Sequence, residues 1–521
     1  MSQLLRLTPV LNRQQTIAAL SGEFDAIVIG GGINGAVSTA ALAAHGINVV
    51  LVESNDFASM TSQESSNMIW GGLKYLQDYE FSLVWSLCRS RNELLSKYPN
   101  RIQEIPFFAV INQNSPFSRA LGYVGSLLYW FFGSFKTNKP RVFSTQKIRS
   151  LNPQLDMDRV KGAIQYNDAI LLDNDARFVY EFIKTGAKLG AKVLNYAEVT
   201  KATSTTDGWL VNVRDKLSGS YFEVKAKTLI NATGPYAKSV SDSFKVPTEN
   251  KIVMSKGVHL IVPRIETNDK VFAFFDEKGR LFYVLPMHDR TVIGTTDTKA
   301  QTADVSVTDE DRNFLLDQIN RCLNLQNPLT KADIISERCG VRPLVITNSS
   351  QIDEIDWLAL SRKHVVELNS NLRSISIFGG KLTDCINVGY EVVTCLKEIG
   401  IVTKPRASWI GEPDPQIDPK FIDLVSKHHK SNTKTIATEI WRRHGAQSSE
   451  IVMNWISHPD DAELVFPGLS FTLGELRYII DREHVQTSED LLRRRTPIAL
   501  LRTQVEIKEN AKLQSILKTI I

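Results

Sequence analysis

Phe24 to Glu53 reads FDAIVIGGGINGAVSTAALAAHGINVVLVE, and this stretch decides the fold. Ala26 to Ile29 are apolar and partly β-branched, as in a strand buried on both faces. Gly30, Gly32 and Gly35 follow as G-x-G-x-x-G, with Asn34 inside the turn. The first glycine permits the tight turn, the second lets backbone approach a pyrophosphate, and the third lets a helix pack on the strand. Ala36 to His45 reads as that helix, Gly46 as its stop, and Val49 to Val52 as the next strand, ending in Glu53. The helix N-terminus favours negative charge, and a carboxylate at the end of the second strand is placed to accept from a ribose hydroxyl. Strand, turn, helix, strand and acid together specify an adenine dinucleotide, FAD or NAD. An NADP 2′-phosphate would be repelled by Glu53.

A chain of 521 residues supports two to four domains, and 43% hydrophobic with 23% charged residues is ordinary for a globular protein. The net charge of +4 indicates no nucleic-acid partner. Cys88, Cys322, Cys339, Cys385 and Cys395 are odd in number and scattered, which argues against a disulfide framework or zinc site. Residues 1 to 20 lack the basic start, apolar run and cleavage site of a signal peptide. A cytosolic or cytosol-facing protein is expected. No apolar run reaches the ~18 residues that a bilayer span requires. The nearest, LGYVGSLLYWFFGSF at Leu121 to Phe135, is flanked by Arg119, Lys136, Lys139 and Arg141. It suits either a buried helix or a segment seated at a membrane surface.

Farther along, residues 1 to 23 read as a leader helix on the nucleotide domain. The stretch after Glu53 is rich in small hydroxyl residues and glycine, which lets it run close to a ligand. Phe81 to Lys97 reads as a helix stopped by Pro99, Ile105 to Val110 as a strand, and Gly162 to Leu172 as a strand pair. Asp175 to Gly190 reads as helix, Lys192 to Leu194 as a strand of the nucleotide sheet, and 198 to 227 as a hairpin or meander turning at Lys216 to Gly219. Thr228 to Ile230 reads as a central strand, with Ala232, Thr233 and Gly234 at its end able to touch the dinucleotide. An antiparallel sheet is expected over 251 to 300, a helix over Asp309 to Leu323, and a helical, charged region beyond about Pro405. Glu337 to Leu344 and Ser374 to Thr383 bring the chain back to the site, the latter as strand, double glycine and helix with Lys381 at the turn.

In this order IVIGGGINGA, TSQESSNMIWGGLKYL, NATGPYAKSV, KGVHLIVP, IGTTDT, CGVRPL and FGGKLT stand along the chain, followed by YIIDREHVQTSEDLLRRRT. The ordered set resembles the FAD-dependent glycerol-3-phosphate dehydrogenases from about residue 22 to 500. The resemblance implies an α/β (α+β) chain with a Rossmann-like FAD-binding domain, an interleaved antiparallel β substrate domain and a C-terminal α-helical domain. FAD-binding segments are expected at about 22–80, 160–245 and 335–404, substrate segments at about 81–159 and 246–334, and the helical domain at 405–521. The FAD residues would be Gly30, Gly32, Asn34, Gly35 and Glu53; Thr61, Ser62, Ser66, Gly71, Gly72 and Leu73; Ala232, Thr233 and Gly234; and Gly379, Gly380, Lys381, Leu382 and Thr383.

The implied chemistry is oxidation of a polyol phosphate at its secondary alcohol, with hydride passing to flavin N5 and then electrons to a membrane quinone. That requires cations for the phosphate, a base for the hydroxyl proton and donors for the reduced ring. By the resemblance, Arg342 binds or polarises substrate and Lys381 stabilises the reduced ring or the alkoxide. His259 and Tyr75 line the pocket. His259 is the preferred base, since an imidazole titrates near neutrality. A peripheral position on the cytoplasmic face of a membrane follows from a quinone acceptor. The oligomeric state, a homodimer included, stays open.

Three positions depart from the family pattern. H-G-G-[LI]-R-Y is Trp70-Gly71-Gly72-Leu73-Lys74-Tyr75 here, and a lysine usual just before it is Asn67. Lys74 supplies a point charge to a phosphate but not the planar fork of an arginine. Another polyol phosphate or 2-hydroxy compound as substrate, oxygen as acceptor, and a flavin-binding sensor or partner without turnover are the competing readings.

Overall fold

The computed structural model describes residues 13–152, 154–277, 279–347, 363–429 and 433–520. Two sheets carry the chain. In the first the strand order is Val365–Asn369, Ser374–Phe378, Tyr221–Asn231, Glu23–Ile29, Val49–Val52, Lys192–Leu194. All neighbours are parallel except the Val365–Asn369 edge. The helix Ile33–Ala44 crosses between the first two strands in sequence and is buried along its whole length. Its alanine-rich surface admits neighbours on every side, among them the helices Asp175–Lys188 and Cys385–Glu398.

The 198–227 region is a meander of Ala197–Thr205, Gly208–Asp215 and Tyr221–Asn231, with Gly219 in the left-handed region at the expected turn. Its third strand does not stop at the hairpin: it continues inward and becomes the central parallel strand. Residues 1–12 of the leader lie outside the described residues. The part that follows, Arg13–Ala19, is a helix anchored by Arg13, whose guanidinium donates to Asp215 at 3.0 Å and to the Asn195 carbonyl at 2.7 Å.

The second sheet is built on Asn250–Pro263, which pairs along twelve antiparallel positions with Ser336–Thr347. It extends through Arg290–Gly294, Leu281–Met287, Val271–Phe275, Ile102–Ile111 and Gly162–Leu171 to Met68–Ile69. Two expectations change here. Gly162–Leu171 is one continuous strand rather than a pair. It and Ser336–Thr347 belong to this second sheet, although the sequence reading grouped both with the nucleotide segments. Long apolar runs suit either sheet, and partner choice is not written in their composition.

The segment around 121–135 forms a helix, Arg119–Phe132, capped by Ser118. It is not a buried helix: Ser126 and Tyr129 point inward, while Leu121, Val124, Leu128, Phe131 and the following Phe135 are exposed. No helix among the described residues is long and apolar enough to cross a membrane.

From Pro419 onward the chain is helical around a core that contains Trp455, Leu476 and Ile479. A wide helical turn, Asp490–Arg495, sends three arginines back to the nucleotide side. Arg494 Nε and Arg495 Nη1 each donate to Asp56 Oδ2 at 2.7 Å, and Arg495 Nη2 to Oδ1 at 2.8 Å. Burial alone would raise the Asp56 carboxyl, yet the two guanidiniums hold it below the usual carboxylate range. Such a pair stabilises chiefly because removing one partner strands the other charge in a dry interior, at ~3–5 kcal/mol.

Candidate active site

The glycine turn is shaped by contact. A Cβ at Gly30, whose φ is +104°, would lie 2.6 Å from the Ala232 carbonyl oxygen, and one at Gly35 would strike the Gly30 oxygen. Gly32 differs: a Cβ there would meet, among the described residues, only Ser62 Oγ at 3.2 Å. Its open side faces away from packed protein, as backbone that admits a ligand must. Ser62 Oγ accepts from the Ile33 amide at 3.0 Å. Glu53 Oε2 accepts from the Gly31 amide at 2.6 Å and Oε1 from the Asn55 amide at 2.8 Å, so the acid also braces the turn. Burial raises the Glu53 carboxyl above its ordinary range.

The second glycine segment closes on the first. Asn34 Nδ2 donates to the Gly379 carbonyl at 2.9 Å. Asn34 Oδ1 is buried and unpartnered among the described residues. Gly379 and Gly380 both have positive φ, as the sharp exit from the Ser374–Phe378 strand demands. Thr383 Oγ1 accepts from the Trp70 amide at 2.9 Å, and Thr61 Oγ1 donates to the Val341 carbonyl at 2.9 Å. Leu382 is buried beside Thr383. Thr233 binds its neighbour Asn231, and Gly234 takes φ +58° at the end of the central strand. Gly72 is left-handed and leads into the turn Leu73–Leu76. At Gly71 the missing side chain is replaced by the Tyr129 hydroxyl and Cys88 sulfur, which makes it a packing glycine.

Between the sheets lies a cleft of about 330 Å³. Its walls include Ser66, Trp70, Lys74, Tyr75, His259, Arg280, Arg342 and Lys381. Lys381 Nζ donates to the Tyr75 hydroxyl at 2.9 Å and stands 4.0 Å over that ring. Trp70 packs on the same ring, with centroids 5.6 Å apart.

The other wall is one face of the Asn250–Pro263/Ser336–Thr347 pair. Ser255 lies opposite Arg342, Gly257 opposite Gly340 and His259 opposite Arg338. Alternation along a strand puts all six on one face. The glycine pair opens space: the Arg342 guanidinium lies where a Gly257 Cβ would be, and the Glu64 side chain fills the place over Gly340. Arg342 Nη2 donates to Thr295 Oγ1 at 2.7 Å, and Nη1 is 3.4 Å from Asp297.

His259 Nε2 is 2.6 Å from Ser66 Oγ. Ser66, expected at the cofactor, thus also touches the imidazole. The sequence reading assumed a histidine that titrates near neutrality. Burial, reinforced by Arg338 and Arg342, moves His259 well below that range and favours the neutral ring. Arg338, Glu64, Arg280 and Asp297 were not singled out from the sequence. The signal for Arg338 was present: it precedes Arg342 by four residues in a strand, which returns it to the same face.

Comparison with known proteins identifies the family. Residues 25–369 match the FAD dependent oxidoreductase family, and 416–519 match the C-terminal domain of alpha-glycerophosphate oxidase. Over 487 residues the chain is 30% identical to the aerobic glycerol-3-phosphate dehydrogenase of Escherichia coli (strain K12), covering 91% of this chain and 93% of that protein. The chain belongs to the FAD-dependent glycerol-3-phosphate dehydrogenase family. It is also 28% identical over 495 residues to the D-erythritol 1-phosphate dehydrogenase of Brucella abortus (strain 2308), covering 92% of this chain and 96% of that one. The glycerol-3-phosphate dehydrogenase from Bacillus halodurans complexed with FAD shares the fold, with a TM-score of 0.73 at 24% identity over 98% of this chain and 93% of that chain.

FAD is therefore the cofactor of this chain, and the residues present fit it. Ile33, at the amide end of the helix, lines the cleft with Ser62 and Gly380; Gly32 beside it has an open face, and Asn34 Oδ1 is unpartnered among the described residues.

Proposed function

We propose that the protein oxidises sn-glycerol 3-phosphate to dihydroxyacetone phosphate and passes the electrons through FAD to a membrane quinone. The observation that carries this reading is a neutral, buried histidine and three cations, Lys74, Arg342 and Lys381, around one cleft. The flavin, when bound, supplies a two-electron acceptor for the hydride. Arg342 and Lys74 bind the phosphate dianion as charge-assisted donors. His259 takes up the proton of the secondary hydroxyl through Ser66, whose own hydroxyl proton passes to Nε2 as its oxygen accepts the substrate proton. Lys381 holds negative charge that develops at the reacting oxygen or on the reduced cofactor. Trp70 closes the wall against Tyr75 and keeps water from that side.

Anaerobic stopped-flow mixing with glycerol 3-phosphate tests the reading. Rapid loss of the flavin absorbance is expected, at a rate constant through neutral pH that declines only in acid as His259 protonates. Lys74, with a point charge where the family has a planar fork, motivates a second reading, another polyol phosphate, and D-erythritol 1-phosphate, named for the Brucella abortus relative, is the compound to test. Bleaching by that compound and not by glycerol 3-phosphate would replace the first reading with the second.

The quinone acceptor requires a membrane, and the helix Arg119–Phe132 offers a docking face. Leu121, Val124, Leu128 and Phe131 project outward, and Phe81 and Trp85 extend the patch through Phe132, with ring centroids 6.1 and 6.0 Å away. Arg119, Lys136, Lys139 and Arg141 flank it, the arrangement that binds an anionic lipid interface. The protein is expected to sediment with vesicles containing phosphatidylglycerol. The double variant Leu128→Glu/Phe131→Glu should stay in the supernatant while its flavin is still bleached by soluble substrate. Equal sedimentation of the variant would remove this helix from the membrane contact.

A further inference from the structure

Arg338 has no part in the chemistry above, yet it is wholly buried at 1% exposure and lies directly opposite His259 in the strand register. Its Nη1 donates to the Ser65 carbonyl and, at 2.9 Å, to Asn67 Oδ1. The Ser65 amide donates in turn to Asp175 Oδ2 at 2.7 Å, and Asp175 is 3.8 Å from the guanidinium. Asn67, in the left-handed region at φ +57°, donates through Nδ2 to the Asp173 carbonyl at 2.8 Å. The tripeptide Ser65–Asn67 is thereby gripped at both ends. Ser66 lies between the grips, and its hydroxyl meets His259 Nε2.

We propose that Arg338 is a positioning residue for His259: it clamps Ser65 and Asn67 so that the Ser66 hydroxyl stays on the imidazole, and it sets a permanent positive charge across the strand pair from the ring. Asn67 is the position where the sequence departs from the family lysine, and the cation near this loop now comes from the facing strand. The inference rests on the reading of His259 as the proton acceptor.

Two effects follow, and they separate experimentally. The clamp fixes geometry and influences the rate at every pH. The charge influences only the protonation of His259. The charged groups that act on the ring are Arg338 and Arg342 from the Ser336–Thr347 strand, and Ser66 meets it from the loop; Glu64 lies over Gly340, the neighbouring register pair, and is paired with Arg493. Asp175 and Arg493 stand behind Arg338, and Asp297 lies beyond Arg342. Removing Arg338 leaves Arg342 as the one facing cation, while Glu64 keeps its ion pair with Arg493 at 3.2 Å. Proton affinity at His259 must then rise.

The test compares R338M, R338K and the relocated-charge variant N67K/R338M with the wild-type holoprotein. Protein labelled with ¹³C at histidine is titrated, the His259 resonance being identified by its loss in H259Q, and the pH profile of flavin reduction is measured beside it. In R338M the His259 midpoint and the acid limb of the profile are expected to move up together by at least one pH unit. R338K and N67K/R338M should return both toward the wild-type position. A midpoint and limb unmoved in R338M, with only the rate lowered, would reduce Arg338 to a structural residue and overturn the proposal. Should R338M fail to fold, R338Q carries the decision: a raised His259 midpoint in R338Q supports the proposal, and a wild-type midpoint there overturns it. The titration needs no turnover, so its shift would stand even if no polyol phosphate bleached the flavin. That outcome would overturn the function and its proton-acceptor role while leaving the Arg338–His259 coupling in place.

Discussion

Gly32→Val is expected to emerge from purification folded and colourless. The backbone at Gly32 has φ −73°, a value that valine adopts without strain. Its Cβ would meet nothing closer than Ser62 Oγ at 3.2 Å among the described residues. The fold therefore loses little, and the branched side chain enters the open space along the amide end of the Ile33–Ala44 helix. Gly30 and Gly35 are poorer probes, because a side chain at either collides with backbone and confounds cofactor loss with misfolding. Affinity for FAD should drop by ~100-fold or more, equivalent to ~2.7 kcal/mol. Absorbance of the purified protein and its circular dichroism give the answer together. A yellow Gly32→Val protein with wild-type flavin content would refute the placement of the pyrophosphate.

Lys381→Met should keep its flavin and lose most of its reduction rate. Methionine preserves the length of the side chain and its packing on the Tyr75 ring, and removes the charge and the 2.9 Å hydrogen bond to the tyrosine hydroxyl. Loss of one preorganised group that stabilises developing charge typically costs ~10²–10³ in rate. Single-turnover bleaching at saturating substrate isolates that step from binding. A reduction rate equal to wild type would take Lys381 out of the mechanism.

Much of this site could be read from residues alone, for reasons that differ from place to place. The glycine turn announces itself because a tight turn, a close backbone approach and a helix start each demand a residue without a side chain. Arg342 and Lys381 were found through ordered motifs, and the structure brings both to one cleft. The assignment of Gly162–Leu171 to the second sheet was not legible, since GAIQYNDAIL fits any strand buried on both faces. The low proton affinity of His259 was equally hidden: it depends first on burial and then on Arg338 and Arg342, 79 and 83 positions away along the chain. On the helix Arg119–Phe132 the spacing of Leu121, Val124, Leu128 and Phe131 marks an apolar face, but whether protein covers it is settled only by the neighbours.

The arginine turn at Asp490–Arg495 bears on how the protein is assembled. Asp56 stands three residues past Glu53, on the loop that leaves the second strand of the nucleotide sheet, and its partner Arg495 is 439 residues farther along. Until that turn arrives, the loop holds a carboxylate that its final dry surroundings cannot accept. The nucleotide fold is thus spelled out first and locked last. A chain cut ahead of Asp490 would leave Asp56 without either of its guanidinium partners.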